Sequence, residues 1–180
     1  MKRSRSIALV MMGAGAIALT ACEERQVDVG VFEDVEQCVN EPGASRAACE
    51  EAFAVAQEQH AAVAPKYADQ QSCEADFGAG QCEPAPQQAQ GGGGSFFMPL
   101  MMGYMMGSMM SGRGGVAPQP LYRSADDARN FRTADNRSVG PAAGRTTVSR
   151  TAAAAPTAKT QTVARGGFGD RARAVGPSST

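Results

Sequence analysis

The chain has 180 residues, a formal net charge of −1, 6% aromatic residues and no tryptophan. That composition supports one small core followed by sequence with little to bury, and it excludes a strongly basic nucleic-acid binder. The neutral total hides a division: residues 22–83 hold fourteen Asp/Glu against three Lys/Arg, whereas residues 113–180 hold eleven Lys/Arg against four Asp.

In chain order, residues 1–21 read as a lipoprotein signal peptide. Lys2, Arg3 and Arg5 form a positive start, Ile7 to Leu19 is a thirteen-residue apolar run, and Leu19-Thr20-Ala21-Cys22 closes it. Thirteen apolar residues are short for a membrane span, which needs about twenty. Small residues directly before a cysteine make Cys22 the expected lipidation site and mature N-terminus. Glu23, instead of an inner-membrane-retaining aspartate, favours an outer-membrane lipoprotein facing the periplasm. Membrane lipid is thus the partner expected through Cys22.

Residues 22–82 read as an acidic cystine module. Phe32 to Cys38 and Tyr67 to Cys73 share the pattern aromatic-x-Asp-x-x-x-Cys, and each is followed by a second cysteine, Cys49 or Cys82. Four cysteines in an oxidising compartment read as two disulfides with three possible pairings. The internal repeat makes Cys38 with Cys49 and Cys73 with Cys82 the simplest pairing. Asp34 and Asp69 are placed to cap short helices, and Ser45 a longer one running to about Val63, with Pro65 beyond it. The predicted fold class is therefore a small, mostly α-helical, disulfide-stapled module with a Met/Gly-rich apolar segment and a largely disordered C-terminal tail. His60 is the only histidine, preceded by Gln57, Glu58 and Gln59. Alone on a helix and without a carboxylate array, it reads as a partly exposed residue, not a catalytic one. No nucleophile motif or phosphate loop is present, so the chain reads as non-enzymatic, with no catalytic residue, cofactor or dedicated metal site.

Residues 83–95 read as a flexible Gln/Pro/Ala/Gly linker, and residues 96–112 as a Met/Gly-rich membrane or docking segment. Seven methionines fall between Met98 and Met110 at four-residue spacing, and Gly103, Gly107 and Ser111 repeat similarly. As a helix of about 26 Å, this segment would offer a small-x-x-x-small face around Gly103, Tyr104 and Gly107. Self-association, an envelope protein partner or lipid would meet that face. The alternative is copper(I) handling through thioethers, with Met101, Met105 and Met109 as ligands. Residues 113–180 read as a basic low-complexity tail in which Arg165-Gly166-Gly167-Phe168-Gly169 stands out as a short docking motif. Its scattered arginines, with few aromatics between them, argue against nucleic acid as a partner.

These stretches together resemble the YgiB-like family of uncharacterised bacterial lipoproteins. The resemblance rests on Cys22, Ala64-Pro65-Lys66-Tyr67, Cys73-Glu74-Ala75-Asp76-Phe77-Gly78, Gly80-Gln81-Cys82 and Ser95 to Leu100. It continues through Gly103-Tyr104-Met105-Met106-Gly107, Gln119-Pro120-Leu121 and Arg165 to Gly169. It implies an order of parts (lipid anchor, cysteine module, Met/Gly segment, basic tail) and no activity, substrate or cofactor. The resulting expectation is a non-enzymatic, membrane-anchored envelope lipoprotein with a scaffolding or assembly role.

Overall fold

The computed structural model describes residues 24–86, 96–107, 115–141, 143–159, 162–163 and 166–170. Cys22, Met109, Ser111 and most of the proposed linker lie outside them. Strand β1 (Gln26–Phe32) is followed by helices α1 (Val35–Val39), α2 (Arg46–Val63) and α3 (Gln70–Phe77), then by strands β2 (Cys82–Pro84) and β3 (Phe97–Pro99). Five further strands complete the chain: β4 (Gly103–Gly107), β5 (Gln119–Ser124), β6 (Asp127–Thr133), β7 (Ser138–Gly140) and β8 (Gly144–Ser149). Six of the strands form one antiparallel sheet in the order β7-β6-β5-β4-β1-β8, while β2 and β3 pair separately.

The predicted fold class is overturned: the protein is mostly β. The Val27-x-Val29-x-Val31 alternation in β1 has the two-residue period of a strand. Val29 and Val31 join Met105, Leu121, Phe131, Val139 and Val148 in one core cluster that draws on all six strands. A sheet whose two outermost strands meet over a shared core is curled into a nearly closed barrel. The opposite face of β1 and β4 carries Phe32, Tyr104 and Met106, which pack with Cys38, Cys49 and Ala56 of α1 and α2. Helices therefore cover the outside of a sheet.

The expected Met/Gly helix is also corrected, because the described part of residues 96–112 contains β3 and β4. A methionine doublet places one side chain on each face of a strand. Met105 points into the barrel cluster, while Met106 packs under the helices. A strand buried on both faces shows no polar alternation, and that is why this stretch mimics an apolar helix. Gly103 is required by close approach: a Cβ there would lie 2.7 Å from the Phe32 carbonyl oxygen and 3.1 Å from Phe131 Cε1.

The tail, expected to be largely disordered, supplies β5 to β8. Each strand needs few large residues because β1 and β4 complete the core. Two basic side chains of this half turn back on the acidic half. Arg123 pairs with Glu33 at 2.7 Å and stacks 4.1 Å over the Phe131 ring, and Arg145 pairs with Glu41 at 3.4 Å.

Local signals in the first half match simple capping chemistry. Asp34 accepts from the Gln37 amide at 2.8 Å, Ser45 from Ala48 at 3.3 Å and Asp69 from Ser72 at 2.7 Å. Disulfides join Cys38 to Cys49 and Cys73 to Cys82. The first ties α1 to α2, and the second ties α3 to the β2–β3 hairpin.

Candidate functional site

Two features meet at Tyr122 of β5. The first is a slot filled by the chain's own tail. Phe168 is buried, with its ring centroid 4.7 Å from that of Phe77 and 6.3 Å from that of Tyr122. Buried Asp76 accepts from the Tyr67 hydroxyl and from the Gly166 amide, both at 2.9 Å. Burial, then the Asp76 charge, raises the Tyr67 hydroxyl well above its ordinary pKa, so it remains a donor. Beyond Phe168, Asp170 accepts from Arg132 at 2.5 Å, and the Asn136 amide donates to the Gly169 carbonyl at 2.9 Å. Arg132 is only 2% exposed and also faces Asp127 at 3.5 Å. The Gly-Gly-Phe-Gly motif is thus an internal clasp.

The second feature is a cleft of about 370 Å³ at His60, which contacts Tyr122; its lining includes Phe53, His60, Glu83, Met98 and Met101. His60 is 8% exposed, not the partly exposed residue its helix position suggests. The arithmetic is helical: Ala52, Ala56, His60 and Val63 recur at three- or four-residue intervals along the buried stripe of α2. Its Nδ1 lies 2.9 Å from the Tyr122 hydroxyl, and the two rings are 5.7 Å apart. Nε2 has no hydrogen-bond partner, and the nearest carboxylate oxygen, on Glu83, is 3.7 Å away. Burial lowers the His60 pKa to about 4, so the imidazole is neutral at pH 7. Burial also raises the Tyr122 phenol far above its usual range, which keeps it protonated.

Glu83 and Met98 are directly paired across β2 and β3. Side chains of paired positions project from the same face of a sheet, here toward His60. Glu33, another lining residue, is held by Arg123. The cleft lining therefore combines one neutral imidazole, two methionine side chains and two carboxylates, of which Glu33 is already paired.

Other expected site residues fall elsewhere. Gly103 and Tyr104 are buried in β4, and Gly107 is half-buried at its end. The Tyr104 hydroxyl is buried without a partner, and burial and the Asp34 charge push its pKa up to about 12. The Met101/Met105/Met109 ligand set does not assemble. Met101 packs against the helix-side cluster, Met105 belongs to the barrel cluster, and Met109 is outside the described residues. Sequence reading missed Tyr122 as the partner of His60 and Met98 as a cleft residue, because their placement depends on the packing of β5 against α2 and the pairing of β2 with β3. Glu83 carried a usable signal, standing one residue after the repeat's last cysteine.

Among the described residues, no group of three or more His, Cys, Asp and Glu side chains could hold a metal. No helix among them is long and apolar enough to cross a membrane.

Residues 26–177 match the family model for a protein of unknown function, DUF1190. The chain belongs to the DUF1190 family. It is 40% identical over 183 residues to a UPF0441 protein of Erwinia tasmaniensis, covering 93% of this chain and 82% of the relative. UPF0441 proteins of Pectobacterium carotovorum and Serratia proteamaculans are each 39% identical, again over 93% of this chain and over 82% and 83% of theirs. No solved structure matches. The YgiB-like designation is corrected accordingly: the family shown is DUF1190/UPF0441, an uncharacterised bacterial family.

Proposed function

We propose that this DUF1190 protein is a non-enzymatic lipoprotein of the bacterial envelope, anchored through acyl chains on Cys22, with a scaffolding role at the membrane surface. The observation that carries the reading is the Leu19-Thr20-Ala21-Cys22 leader immediately before the folded body. β1 begins at Gln26, four residues after Cys22, so an extended connection spans only about 14 Å. A lipid on Cys22 would hold the body close against the bilayer. Two or more acyl chains give stable attachment, each buried CH₂ contributing about 0.8 kcal/mol. Glu23 favours the outer membrane as the destination. Since Gly103 and Tyr104 are core residues, partner contacts fall to the outside of the folded body.

Fractionation of cells expressing the wild type and C22S, with intact mass of the membrane-extracted protein, tests the anchor. Acylated Cys22 in the wild type and release of C22S from the membrane are the expected results. A wild-type protein without lipid mass, or C22S that stays on the membrane, would overturn the reading.

A further inference from the structure

We propose that the His60 cleft binds a soft monovalent cation, copper(I), through His60 Nε2 and the thioethers of Met98 and Met101. This inference stands independently of lipidation at Cys22.

The geometry begins with an unmet need. Burying a polar atom without a partner is costly, and the fold leaves His60 Nε2 in that condition in a residue that lines the cleft. The other ring nitrogen is engaged. A histidine that binds metal through one nitrogen commonly has its second nitrogen fixed by an oxygen, which sets the tautomer and the ring orientation. Tyr122 supplies that oxygen at 2.9 Å from Nδ1. Copper(I) binding selects the tautomer that donates Nδ1–H to the Tyr122 oxygen and leaves the Nε2 lone pair free.

The remaining donors select the cation. Thioether and imidazole donors suit copper(I), whereas magnesium and calcium require several oxygens. Met98 lies on β3 opposite Glu83, Met101 follows three residues later, and both are among the residues that line the cleft. Glu83, with its oxygen 3.7 Å from Nε2, adds one negative charge to offset a monovalent cation. An organic ammonium would rely on carboxylates, and of the two in the lining Glu33 is already paired with Arg123.

This set differs from the period-four methionine series in the sequence. Strand pairing splits that series among three clusters and brings one of its members, Met98, to the cleft lined by a histidine 38 positions earlier.

The test uses the full chain carrying C22S, so that no free thiol competes. Copper(I) is titrated under ascorbate against a chromophoric chelator, and silver(I) is titrated in parallel without reductant. One retained equivalent is expected, with an absorption-edge shell of one nitrogen and two sulfurs. M98L and M101L conserve volume and should each weaken binding at least about tenfold, while H60Q should abolish it; circular dichroism checks their folding. Failure of the wild type to hold copper(I) against the chelator would overturn the proposal. So would unchanged affinity in the M98L/M101L double variant, or saturable binding of tetramethylammonium in place of the metal.

Discussion

The two flanks of Tyr122 are built from similar materials and finished differently. On the tail side, Phe168 fills an aromatic slot and Asp76 accepts two hydrogen bonds that tie Tyr67 and Gly166 together. On the α2 side, the Tyr122 hydroxyl engages one nitrogen of His60 and leaves the other buried without a partner in a residue that lines a cleft. Burial alone does not define a site. A buried polar group whose valences are all met is architecture, and one left half-met beside space is an invitation to a ligand.

Breaking the closed flank should have the largest effect. F168A removes a buried aromatic ring from contact with Phe77 and Tyr122 and should cost about 4 kcal/mol in urea unfolding. A loss below about 1 kcal/mol would mean that the clasp contributes little to the fold.

Acid should expose the open flank next. The folded His60 pKa is about 4, below the ordinary value of 6.5, so the unfolded chain takes up a proton first as pH falls. This group's contribution is fully present above pH 6.5 and is lost between 6.5 and about 4, on the order of 3 kcal/mol. Unfolding curves across that window should show a decline that H60Q lacks. Equal declines in both proteins would contradict a buried neutral imidazole.

G103A sharpens the comparison from outside both flanks, since it strains the β4 backbone against Phe32. It should destabilise by about 2 kcal/mol and leave cation binding at His60 unchanged. Loss of binding in a folded G103A protein would show that the cleft depends on the whole sheet.

How much of this could be read from the chain follows from the range of each interaction. Asp34, Ser45 and Asp69 reach amides three residues away, so their helix caps are visible locally. The disulfides close short separations of 11 and 9 residues, and the repeat of Asp-x-x-x-Cys pointed to them. The sheet was not legible because its partners are distant: β1 pairs with β4 and β8, more than seventy positions away. Met101-Met102 and Met105-Met106 carry periods of both two and four, and only those pairings decide between strand and helix. The tail looked coreless because Leu121, Phe131, Val139 and Val148 are spread thinly along it and gather only once the sheet curls. The candidate cleft was half legible. His60 and the methionines stood out by rarity and number, but the grouping that matters is set by the Glu83–Met98 pairing.

Nitrogen-15 spectroscopy of the single histidine reads out the state of His60. At pH 7, His60 should be neutral with the proton on Nδ1, and stoichiometric silver(I) should shift the Nε2 resonance alone by a bound-state increment. An imidazole that carries its proton on Nε2, titrates near its ordinary pKa, or ignores silver(I) would contradict an open ligand site at His60.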